Sequence, residues 1–248
     1  MKIDIRVFED VGGRRPDITP DALAWLQANI QPMVDAALPW LAPTPIDILP
    51  RGDLDAIHVL LCARETMDET FDFERALGAH LIDTPDADPF GDGTPYAKAY
   101  RVAVVVDRAE IEARLAEEME EASEGFDPRE AEIGELTTIF HEIVHVMLFA
   151  ANSNFNAPQT CETAYEAGDI QNDLFDLSSG YGLRALPDEF GEEIEPECAA
   201  DARDRMEKWC EMVGRRTAAL APWRDDGDCG WFEALGVRTP PPDDAPSP

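Results

Sequence analysis

Residues 137–147 read Thr-Thr-Ile-Phe-His-Glu-Ile-Val-His-Val-Met, which sets His141 and His145 four positions apart with Glu142 between them. On a helix, side chains at i and i+4 leave the same face one turn apart, so both imidazoles can ligate one metal ion while Glu142 reaches a water on it. Zinc-dependent peptide hydrolysis uses this arrangement. Glu142 is the one charge between Thr137 and Met147, and Ile139, Phe140, Ile143, Val144 and Met147 give the helix an apolar flank that must be buried. Burial carries the histidines inward, where unpaired imidazoles are unfavourable. The bland alternative is an ordinary amphipathic helix with two satisfied histidines. Asp127 as N-cap, Pro128 in the first turn and Glu130 three residues after the cap start the helix well before the motif.

A catalytic zinc ion (Zn2+) takes three protein ligands and leaves a fourth position for water. Downstream, Glu195-Pro196-Glu197-Cys198-Ala199-Ala200-Asp201 places Glu197 and Asp201 four apart on one face of an expected helix. Glu197 can bind the metal, and Asp201 can accept a hydrogen bond from the far nitrogen of His141, fixing its tautomer. Glu162 and Glu166 are rival third ligands, with Asp173 and Asp176 as further acidic alternatives. A third histidine is excluded, because His58 and His80 lie upstream and none follows His145.

His-Glu-x-x-His followed by Glu-x-x-Ala-Asp resembles the gluzincin metallopeptidases, in particular the neprilysin-like and CAAX-processing branches that carry this form. The resemblance covers the two motif helices and, loosely, the strands before them. It implies an α+β, zincin-like fold, with a small mixed sheet packed on helices that include an active-site helix and a C-terminal glutamate helix. It also implies His141, His145 and Glu197 as zinc ligands, Glu142 as catalytic base and Asp201 as the partner of the first histidine. Tyr100–Asp107 would then correspond to the cleft-edge strand to which an extended substrate adds, although its continuous valines also suit a buried central strand. Unlike the CAAX-processing branch this chain has no membrane segments, and it is far shorter than neprilysin, so neither substrate class carries over. An oxyanion donor besides zinc would come from Tyr165, Tyr181 or Arg184 in the long connection after the motif.

The elements that must hold these residues can be read in order. Lys2–Val7 alternates as a strand with one buried face. Residues 19–41 carry apolar positions at helical spacing behind a Thr19 cap, with breaks suggested at Pro32 and Pro39. Pro45–Leu49 and Ala56–Cys62 read as strands around an Arg51-Gly52-Asp53 turn, His58 facing a sheet surface. Asp83–Tyr96 reads as a loop, Tyr100–Asp107 as the strongest strand, and Ala109–Ala122 as a charged helix. Asn152–Glu195 is a long connection holding a short helix near Glu162–Leu177, and a helix runs from near Pro196 to Arg216. The expected organisation is one domain over residues 1–238, a sheet subdomain to about residue 150 and a helical one from 151, followed by a disordered acidic, Pro-rich tail at 239–248.

The chain has 248 residues, 44% of them apolar, enough for a sizeable core. No stretch approaches the apolar length of a membrane span, and the opening alternation is not that of a signal peptide, so a cytoplasmic protein is expected. Five scattered cysteines argue against a disulfide scaffold or a cysteine zinc cluster. A net charge of −32 repels a phosphate backbone, which excludes nucleic acid as a partner, and would attract a cationic peptide or protein segment. The expected function is a zinc endopeptidase with a restricted peptide or protein substrate. The alternative is a catalytically silent binding or regulatory protein on the same fold.

Overall fold

The computed structural model describes residues 1–41, 56–81, 99–121, 126–151, 207, 210–222 and 230–238. Within them the order is β1 (Lys2–Val7), α1 (Pro20–Leu41), β2 (Ala56–Cys62), α2 (Arg64–Glu69), β3 (Gly78–Leu81), β4 (Ala99–Val105), α3 (Arg108–Glu121) and α4 (Pro128–Ala151). Helical residues 207 and 210–218, called α5 here, and α6 (Gly230–Leu235) complete it. The strands form one mixed sheet in the order β1-β2-β4-β3, with β1, β2 and β4 parallel and β3 antiparallel to β4. The class is α+β.

Alternation decides which face each strand residue takes. Ile3, Ile5, Ile57, Val59, Val102 and Val104 share one core with Leu26, Ile30 and Val34 of α1, Ile111 and Leu115 of α3, and Leu136, Phe140 and Ile143 of α4. Each such side chain contributes about 1.5–3 kcal/mol when fully removed from water. The opposite face holds a smaller cluster of Cys62, Met67, Ala79 and Ala103, beside a polar row in which Asp4, His58 and Arg101 are register neighbours. His58 Nδ1 lies 3.2 Å from Asp4 Oδ2 with the imidazole buried. As expected it faces a sheet surface, the one turned away from α4.

The helix starts follow local chemistry. Thr19 Oγ1 accepts the Ala22 N–H at 3.1 Å, Asp107 Oδ1 accepts those of Ala109 and Glu110, and Asp127 Oδ1 accepts that of Arg129 at 2.9 Å. Pro32 does not break α1, which continues to Leu41. A proline inside a helix costs about 3 kcal/mol, and the burial of Ile30, Met33, Val34 and Ala37 around it outweighs that.

One expectation needs correction, and two short elements were not expected. The strand near Tyr100 is β4, and it is interior, flanked by β2 and β3, so it is not a cleft-edge strand. Its run of valines suits a strand covered on both faces. The outer position beside it belongs to β3, four residues too short to show a period, and α2 is likewise a short element that the pattern does not announce. Between them the chain turns through Asp72 and Arg75 at φ 62° and 65°, which returns β3 antiparallel to β4. Pro45–Leu49, the Asp83–Tyr96 loop, the 152–195 connection and the 239–248 tail lie outside the described residues. No helix among the described residues is long and apolar enough to cross a membrane.

Candidate metal centre

α4 packs on β3, β4 and β2, and its residues divide by face. Ile139, Phe140 and Ile143 enter the core, each at most 2% exposed. Thr138 and Glu142 turn towards β3, and Thr137 and His141 towards α5. His145, one turn beyond His141, is buried, with its Nε2 3.1 Å from the His141 Nε2. Two nitrogens held about 2.0–2.1 Å from one tetrahedral ion stand roughly 3.3 Å apart, so the imidazole pair already has the separation that a shared ion requires.

A carboxylate closes on the pair from α5. Glu207 Oε2 is 3.1 Å from His141 Nε2, and Glu207 Oε1 is 3.5 Å from His145 Nε2. Donor atoms of His141, His145 and Glu207 all lie within 4.8 Å of one another, the one such group of three or more among the described residues. Glu211, one turn further along α5, brings Oε2 to 3.6 Å from the other ring nitrogen of His141, Nδ1. His141 therefore lies between two carboxylates, one at each ring nitrogen. Two imidazoles and a carboxylate are a donor set suited to catalytic zinc, and a carboxylate behind the first imidazole is the usual way its ring is oriented.

Electrostatics follow from this packing. Burial works against charge on His141, but the hydrogen bond to Glu207, the Glu211 carboxylate 3.6 Å from Nδ1 and the nearby Glu142 charge outweigh it and raise its pKa from 6.5 to about 9. The same contacts hold the Glu207 carboxyl well below the usual carboxylate range, chiefly through His141 and His145, and His141 lowers Glu211.

Glu142 is 7% exposed and sits against the edge strand. A Cβ built at Gly78 of β3 would come within 2.6 Å of Glu142 Cγ, 2.9 Å of its Oε1 and 3.0 Å of Thr138 Cγ2. On the other side of α4, a Cβ at Gly214 of α5 would meet His141 N at 2.9 Å and Thr137 O at 3.0 Å. Neighbouring backbones therefore press on the motif from two directions, each at a residue without a side chain.

The structure thus brings His141, Glu142 and His145 together with Glu207 and Glu211. Glu197, Asp201, Glu162, Glu166, Asp173, Asp176, Tyr165, Tyr181 and Arg184 lie outside the described residues. Glu207 and Glu211 repeat the i, i+4 relation of Glu197 and Asp201 ten positions further along the chain (197 to 207, 201 to 211). Their signal was available in Glu207-Lys208-Trp209-Cys210-Glu211-Met212-Val213-Gly214: two acids and a glycine on one helical face. No protein-family model, no curated protein and no solved structure matches this chain.

Proposed function

We propose that this chain is a gluzincin-type, zincin-fold zinc endopeptidase that acts on a restricted set of peptides or proteins. One observation carries the proposal: His141, His145 and Glu207 converge within 4.8 Å, with the buried Glu142 adjoining His141 in the chain. The imidazoles and the Glu207 carboxylate would hold a zinc ion, which would supply a Lewis acid and an acidified water, and Glu211 would keep the His141 ring turned towards it. Glu142 takes the proton from the attacking water as its oxygen bonds to the scissile carbonyl carbon, then delivers that proton to the amine as the carbon–nitrogen bond breaks. An extended substrate lies along β3, the strand that brings Gly78 against Glu142, and the net charge of −32 favours cationic segments.

The test measures zinc per chain and cleavage of a broad peptide library for the parent, Glu142→Gln, Glu207→Gln and Glu197→Gln. Glu142→Gln keeps the metal and loses cleavage, whereas Glu207→Gln loses much of the metal and cleavage with it. If Glu197→Gln loses the metal and Glu207→Gln does not, the ligand role passes to Glu197. Stoichiometric zinc in a parent that cuts nothing would replace the peptidase with a zinc-dependent binding protein.

A further inference from the structure

The contact between α4 and α5 at the metal centre is made through Gly214, which is buried and lies inside the helical run 210–218. Glycine in a helix interior is about 0.5–1 kcal/mol less favourable than alanine, so helix propensity alone would select against it here. Packing supplies the reason for it. A methyl group at this position would stand 2.9 Å from His141 N, 3.0 Å from Thr137 O and 3.3 Å from His141 Cα, all of them main-chain atoms of α4. Main-chain atoms of a helix cannot swing aside as a side chain does, so the two helices would have to separate by several tenths of an ångström. Glu207, Glu211 and Gly214 are spaced i, i+4 and i+7, on one face of α5. A separation at Gly214 therefore draws back both carboxylates that reach His141.

We propose that Gly214 is a positioning residue of the metal centre: by letting the backbone of α5 touch that of α4 at His141, it sets the reach of Glu207 and Glu211 and so the affinity for the ion. This rests on the proposed zinc site and adds the element that tunes it.

The experiment titrates zinc into the full chain and records the absorption of bound cobalt(II), for the parent, Gly214→Ala, Glu207→Gln, the double variant and Glu207→Asp. Gly214→Ala should bind zinc ten- to a hundredfold more weakly than the parent, the range seen when groups supporting a ligand are lost, with a changed cobalt spectrum and unchanged helix content by circular dichroism. In the Glu207→Gln background the same substitution should cause a smaller further loss, the part carried by Glu211, because the carboxylate that meets the ion is already gone. Equal losses in both backgrounds would show a general packing role and overturn the proposal, as would parent-like affinity in Gly214→Ala. Should Gly214→Ala not fold, Glu207→Asp decides, since it withdraws the carboxylate by one methylene while leaving the helices in place. A tenfold loss there supports the proposal, and parent-like affinity overturns it. A parent that binds no zinc overturns the zinc site itself, which is distinct from failure at Gly214 alone.

Discussion

Replacing Gly78 with alanine tests whether β3 holds Glu142, the proposed general base, in place. The added Cβ would lie 2.6 Å from Glu142 Cγ, and reaching ordinary contact at 3.4 Å requires an opening of about 0.8 Å. Glu142 must move, because Gly78 is tied into β3, whose register partner at this position is Val104 of the interior strand. Overpacking of this kind costs about 1–3 kcal/mol, while alanine in place of glycine returns about 0.4–1 kcal/mol through the unfolded chain. The net is a loss of up to about 2.6 kcal/mol. That lowers the melting temperature by up to roughly 10 °C at this chain length, and calorimetry on the parent and variant measures it. The effect on turnover is larger, since misplacing a reacting group by about 1 Å can cost as much as a hundredfold. Zinc content stays at the parent level, because His141 and Glu207 meet on the side of α4 that faces α5. Turnover within twofold of the parent, in a variant with the expected thermal shift, would refute the argument that β3 positions Glu142.

Two further outcomes follow from buried carboxylates. Asp10 accepts the backbone N–H of Arg14 at 3.0 Å and of Gly12 at 2.8 Å, and pairs with the Arg14 guanidinium at 2.5 Å. The Arg14 backbone bond leads, burial opposes it, and together with the Arg14 side chain and the Gly12 bond it lowers the pKa from 3.8 to about 2. A depressed carboxyl stabilises fully above its unfolded value of 3.8 and loses that contribution as pH falls through about 2. Asp10→Asn should therefore be less stable than the parent at pH 5, with the difference shrinking between pH 4 and 2 in acid titrations followed by circular dichroism; a constant difference would refute the assignment. Glu132 is fully buried on α4 and accepts the backbone N–H of Trp231 at the start of α6, where the Trp231 ring packs tilted at 43° against Trp25 with ring centroids 6.1 Å apart. Glu132→Ala strands that N–H and should cost about 1–3 kcal/mol, read by denaturant unfolding, and Glu132→Gln, which keeps an acceptor oxygen, should lose less.

Much of the framework is legible because its signals are local. Alternation marks β1, a run of branched residues marks β4, and Thr19 and Asp127 open helices whose apolar spacing continues for many turns. The motif of α4 was legible for the same reason: i, i+4 is a property of one helix. What escaped depends on contacts between distant segments. β3 is four residues that acquire meaning from pairing with β4, and the interior placement of β4 follows from that pairing. Pro32 forecasts a break that tertiary burial overrides. Glu197 stands out in the sequence through Asp201 one turn later, whereas Glu207 sits among ordinary charged neighbours and is distinguished by the approach of α5 to His141. Gly214 likewise looks like a helix weakness until the atoms opposite it are known.

The strand order carries a consequence for biogenesis. β3 precedes β4 in the chain but lies outside it in the sheet, so when a ribosome has delivered residues 78–81 their hydrogen-bonding neighbour does not yet exist. The wall beside Glu142 can close only after residues 99–105 have threaded in next to β2, and α4, which leans on both strands, comes later still. The surroundings of Glu142 are therefore completed late and through non-local pairing, the slow kind of folding step, and a nascent chain halted before Ala99 carries the Gly78 segment without the β4 partner it pairs with.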